Sequence, residues 1–143
     1  MTYNQVLKEL QTICENHAMI KTAKNETPVE WINRNEIPSF PVVNYSVNSG
    51  SFNQGRELVY RIDLWVLDKS GSDAEFESEV INDCHKICGD IVNSMRQQFK
   101  EYSIGNVAWI SLSEKFEDYL SGLKITIDLS CMAQYGACDF PSL

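Results

Sequence analysis

The sequence predicts an α+β domain: a largely antiparallel sheet with one long helix, about residues 72–99, packed on one face, together with a short N-terminal helix and a long β-hairpin. Three observations carry this. Phe76, Val80, Cys84, Ile87, Cys88, Ile91, Met95 and Phe99 recur in steps of three and four, the period of an amphipathic helix. The runs Glu57–Leu67 and Leu123–Cys131 alternate from residue to residue, as half-buried strands do. Strand-like runs lie on both sides of one long helix, and that order favours an antiparallel layer over a parallel α/β sheet. The chain has 143 residues, 43% hydrophobic and 22% charged, which fits a single domain (1–143) with its own core.

The elements follow in order. Val6, Leu7, Leu10, Ile13 and Cys14 have helical spacing after an N-cap candidate, Thr2, and predict a helix within residues 1–18. The apolar stripe is narrow, so this helix is expected on the outside of something larger. Residues 19–40 carry prolines 28 and 38 and several asparagines, and predict an irregular arm with room for one short strand around Val29–Asn33. Residues 41–133 form the predicted core unit. Its first strand is Val42–Val47, and a long tip from Asn48 to Arg56 leads into the strand Glu57–Leu67. Leu58, Tyr60, Ile62, Leu64 and Val66 give that strand an apolar face. The other face carries Val59, Arg61, Asp63, Trp65 and Leu67, suited to partial cover or to contact with another subunit.

Ser72 and Glu75 have capping-box spacing at the start of the long helix, where Asp73, Glu75, Glu77 and Glu79 favour the positive end of its dipole. Gly89 costs that helix about 1 kcal/mol relative to Ala, and close packing is the expected reason for it. Strands Ile104–Leu112 and Leu123–Cys131 close the sheet; Lys124, Thr126, Asp128 and Ser130 face water or a partner. Residues 134–143 form an irregular, aromatic tail.

Composition excludes several functions. Twenty Asp and Glu against twelve Lys and Arg give a net charge of −8, which argues against a broad basic surface for nucleic acid. No apolar run approaches a membrane span. The first residues lack the basic and apolar regions of a secretory signal, and five cysteines read as free thiols in a reducing cytoplasm. Phosphate-binding loops, nucleophile elbows, H-E-x-x-H and dinucleotide fingerprints are absent. Cys84-His85-x-x-Cys88, with Cys131 and Cys138, has the residue types of a zinc site. Helix phase places Cys84 and Cys88 on the apolar stripe and His85 about 100° away, so core packing is the reading adopted. A cysteine nucleophile with His17 or His85 as base would need a pairing in space, and Cys84–His85, adjacent on one helix, is not such a pair. The carboxylates from Asp73 to Asp83 lack the Gly-turned loop of a calcium site and read as capping and solvation. No catalytic residue, cofactor or metal is assigned, and the chain is read as a non-enzyme.

What remains is surface suited to assembly. Candidate contact residues are Ser51, Phe52 and Asn53 at the hairpin tip and Arg61, Asp63 and Trp65 on the mixed strand face. Trp31 in the arm and Tyr135 and Phe140 in the tail complete the set. Aromatic side chains are favoured anchors of protein interfaces.

Tyr60-Arg61-Ile62-Asp63-Leu64-Trp65-Val66-Leu67-Asp68 leads into a helix with Glu79-x-x-x-Asp83-x-x-x-Ile87. Glu114-Lys115-Phe116-x-Asp118-x-x-x-Gly122, an alternating strand and Cys138-Asp139-Phe140-Pro141 follow. Over roughly residues 40–141 this resembles the small neck or tail-completion proteins of tailed bacteriophages, particularly crAss-like and other Bacteroides phages. The resemblance implies a structural virion protein of the tail-terminator or head–tail connector type, made in the host bacterial cytoplasm and located in the neck or tail. It implies a homo-oligomeric ring of six or twelve subunits, stacked on a portal or on adjacent neck and tail rings, with DNA only passing through the lumen and no membrane. An acidic chain suits such a lumen, since like charge repels phosphate. The alternative expectation is a cytoplasmic adaptor or chaperone-like protein-binding module.

Overall fold

Thr2 opens the first helix by a reciprocal cap: its hydroxyl accepts from the Gln5 amide, and the Gln5 side chain accepts from the Thr2 N–H at 2.7 Å. The computed structural model of the chain describes residues 2–34, 38–70, 74–99, 101–115 and 120–132. In it, α1 spans Tyr3–Glu15, β1 Thr22–Lys24, α2 Pro28–Asn33, β2 Val42–Phe52, β3 Glu57–Lys69, α3 Ala74–Gln98, β4 Tyr102–Lys115 and β5 Leu120–Met132. The fold is α+β. Five strands form one sheet in the order β1-β2-β3-β5-β4. β1 runs parallel to β2, and the other three pairings are antiparallel.

The alternation of β3 and β5 sets the layers. Ile62, Leu64 and Val66 on β3 and Leu123, Ile125, Ile127 and Leu129 on β5 are buried in one cluster beneath α1 and α3. α1 contributes Val6, Leu10, Ile13 and Cys14; α3 contributes Val80, Cys84, Ile87, Cys88, Ile91 and Met95. Each large aliphatic side chain so buried contributes about 1.5–3 kcal/mol, which no exposed cap or ion pair matches. The segment just after α1 is also tied to the middle of α3, where His17 Nε2 lies 2.9 Å from Asp90 Oδ2.

Three expectations are corrected. Residues 28–33 form a helix rather than the short strand expected around Val29–Asn33, and residues 22–24 add a strand to the arm that was expected to be irregular. Pro28 at the first helical position and the Glu30 carboxylate, accepting from the Thr27 N–H at 3.3 Å, start that helix. This helix does not join the other two. It covers one corner of the opposite sheet face, where Trp31 packs with Val42, Leu67 and Leu120, flanked by Phe40, Trp65 and Leu112. The hairpin tip is also shorter than expected. Strand pairing continues past a bulge between Val47 and Ser49 as far as Phe52↔Leu58, leaving Asn53–Arg56 as the turn. Gly55 takes φ 75° there, a conformation open to glycine.

The long helix matches its expected extent within two residues, although Ser72 and the proposed N-cap lie outside the described residues. Gly89 reverses its expected role. A Cβ placed on it would meet nothing within 4 Å, so close packing is not its reason.

Candidate assembly interface

The hairpin carries its burial in two halves. Val42 to Val47 of β2 are buried, and Asn48 to Phe52 are exposed. Phe52 is 84% exposed, the most exposed large hydrophobic among the described residues. Its pairing with Leu58 puts it on the side of the sheet that bears α1 and α3. Ser51, paired with Val59, projects to the other side. Asn53 shapes the turn: its N–H donates to the Glu57 carbonyl at 2.8 Å, and its side-chain amide donates to the Glu57 carboxylate at 2.7 Å.

Arg61, Asp63 and Trp65 share the outer sheet face with Ser51, and each meets a partner from β5. Arg61 Nε donates to Asp128 Oδ1 at 3.1 Å, and Thr126 Oγ1 donates to Asp63 Oδ1 at 3.1 Å. Lys124 Nζ stands 5.4 Å over the Trp65 ring. These are cross-strand pairs at exposed or half-exposed positions, individually worth about 0.2–1 kcal/mol. The face is therefore an ordered polar ladder, with its geometry set before anything docks on it.

Trp31 is not part of an exposed surface. It is 3% exposed, and its indole N–H donates to Asn44 Oδ1 at 2.8 Å inside the corner cluster. Its interaction surface is taken up within the subunit. Tyr135 and Phe140 lie outside the described residues. The structure thus gathers Ser51, Arg61, Asp63 and Trp65 on one face and sets Phe52 on the other.

A second exposed region was missed. Trp109 is 56% exposed on the edge strand β4, and its ring meets His85 of α3 edge-on with centroids 4.6 Å apart. Between α3 and β4 lies a cleft of about 320 Å³, lined by His85, Gly89, Val92, Asn93, Arg96 and Trp109 among others. Ile110, 57% exposed, faces the other way from the same strand. Apolar residues on both parities of β4, Val107 and Trp109 against Ile110, were the sequence signal for it.

The four cysteines among the described residues are core residues. Cys14, Cys84, Cys88 and Cys131 are buried free thiols, and burial pushes Cys14, Cys84 and Cys88 up to about 12. A thiol held neutral in this way makes a poor nucleophile. Among the described residues no three His, Cys, Asp or Glu side chains converge as metal ligands. No helix among them is long and apolar enough to cross a membrane.

No protein-family model and no curated protein matches this sequence.

Proposed function

We propose that this chain is a structural subunit that closes into a homo-oligomeric ring in the neck of a tailed phage, joining the portal side of the particle to its tail as tail terminators and head–tail connector proteins do. The observation that carries the reading is the hairpin whose outer half, Asn48 to Phe52, is exposed and ends in an unburied phenylalanine. A strand pair that continues beyond the core it helps to build, with an aromatic residue at its end, is shaped to contact another molecule. The ordered ladder of Arg61, Asp63 and Trp65 supplies a second surface at a different place on the subunit. Two non-identical surfaces on one chain give heterologous contacts, and heterologous contacts that close give rings. The partners in this reading are further copies of the chain and the portal or neighbouring neck and tail rings, with DNA passing through the lumen. The net charge of −8 keeps such a lumen from adhering to phosphate.

Light scattering of the purified chain, with negative-stain images of the same fraction, tests this. A closed species of six or twelve subunits with a central hole is the expected result. A compact dimer without a hole would overturn it in favour of a protein-binding adaptor. A monomer that also fails to appear in purified virions would overturn it as well.

A further inference from the structure

Gly89 sits in the middle of a 25-residue helix, where glycine costs about 1 kcal/mol relative to alanine. No neighbour requires it, since a Cβ there would meet nothing within 4 Å. What its missing side chain does is open the mouth of the cleft between α3 and β4. Val92 and Ile125 line that cleft, the half-exposed Trp109 ring forms one wall, and Arg96 stands at its edge. Arg96 is exposed and has no ion-pair partner among the described residues. The cleft therefore offers an aromatic wall, an apolar floor and one unpaired cation.

The hairpin tip offers the complement. Phe52 is 84% exposed, and the Glu57 carboxylate is held beside the turn by the Asn53 amide at 2.7 Å. The tip cannot reach the cleft of its own subunit. Thirteen register pairs fix β3 against β5, and the levels of Phe52 and Trp109 correspond to Leu58 and Leu64 on β3. Six residues along the strand are about 20 Å, and three strand spacings across the sheet add about 14 Å laterally.

The geometry points to a second copy of this chain as the occupant: the hairpin tip of one subunit enters the α3–β4 cleft of the next, Phe52 lying over Gly89 against Trp109 and Glu57 facing Arg96. This rests on the ring reading and names the residues of one of its contacts. It is head-to-tail by construction, because the donating tip and the receiving cleft occupy different places on the subunit. The 320 Å³ of the cleft accommodates a phenyl group, and the charge pair fixes the orientation of the tip.

Two full-length variants, Phe52→Cys and Gly89→Cys, both also carrying Cys138→Ser, are mixed in equal amounts and treated with a short bismaleimide. The expected product is a mixed dimer of one chain of each kind, several-fold above the Phe52→Cys homodimer that serves as the collision background. A mixed product at background level overturns the inference. Enrichment of a Phe140→Cys chain with Gly89→Cys instead assigns the cleft to the tail and overturns it equally. In parallel, Gly89→Leu fills the cleft at an exposed helical position, so the fold is retained. Its melting temperature should be no lower than the wild type's, while its assembly by light scattering falls to monomer; assembly at wild-type level counts against the inference. The two readings separate cleanly. Wild-type rings without the mixed cross-link leave the ring standing and remove this contact, whereas a mixed cross-link in a non-ring species does the reverse.

Discussion

A Cβ on Gly122 would lie 1.9 Å from the Val66 carbonyl oxygen, whereas one on Gly89 would meet nothing within 4 Å. The two glycines therefore respond oppositely to alanine. Gly122→Ala must push β5 off β3 at the Leu67↔Gly122 pair, and a loss of about 1–3 kcal/mol is expected from such overpacking. Gly89→Ala should gain about 1 kcal/mol from helix propensity. That gain corresponds to a melting temperature about 3 °C higher for a domain of this size. Thermal melts of both variants beside the wild type decide it, and equal shifts would contradict the assigned environments. Trp31 gives a second residue-scale prediction. Trp31→Phe keeps a ring in the corner cluster but removes the donor to Asn44 Oδ1, while Asn44 Nδ2 is already buried without a partner. An unsatisfied buried acceptor costs about 1–3 kcal/mol. Adding Asn44→Leu should recover part of that loss in urea titrations, and failure to recover any would show that the hydrogen bond is not what holds the corner.

Among the elements, α3 was legible because its apolar period persists for many turns and each repeat confirms the phase. Cys84 and Cys88 were assigned to the core by that phase alone, and they lie there. β5 was equally plain, with Leu123 to Cys131 inward and Lys124 to Ser130 outward. α2 was not, because Val29, Trp31 and Ile32 are β-type residues in a six-residue stretch, too short to display a helical period. Docking of Trp31 on the far sheet face decides its form, and that contact is tertiary. The hairpin misled differently: Asn48-Ser49-Gly50-Ser51 has turn residues, yet Gly50 serves cross-strand closeness, since a Cβ there would lie 2.1 Å from the Val59 carbonyl oxygen. The thiols on α1 and α3 give an element-scale prediction. Burial raises Cys14, Cys84 and Cys88 from 9.0 to about 12, and Tyr45 from 10.0 to about 12. Between those values the unfolded chain has released protons that the folded chain still binds, so stability falls as pH rises. It should be fully present below pH 9 and decline from there to about pH 12, by at most about 1.4 kcal/mol per pH unit for each group. Urea midpoints at pH 8 and 10.5 measure the decline; a flat profile would mean that these groups are solvated. A thiol reagent at neutral pH should label Cys14, Cys84, Cys88 and Cys131 only on unfolding.

For the molecule as a whole, the division between core and outer hairpin sets what can be removed. Neither buried cluster includes any residue from Asn48 to Glu57. Val47 is the last buried residue of β2, and the β3–β5 pairing that holds Ile62, Leu64 and Val66 in place does not depend on the tip. The outer half of the hairpin thus adds little to the stability of one subunit, while its exposed Phe52 keeps apolar area in water in the isolated chain. That cost is offset when another surface covers it. Deleting Asn48–Gly55 should therefore leave a folded subunit, with the far-ultraviolet spectrum retained and the melting temperature lowered by only a few degrees. The same deletion should abolish ring formation, because it removes the projecting aromatic residue and leaves the α3–β4 cleft of the next subunit without its counterpart surface. Light scattering across a concentration series distinguishes the outcomes. A folded monomer at concentrations where the wild type is fully assembled places the contact in the hairpin; assembly at the wild-type level would transfer it to the β4 edge and the ladder face.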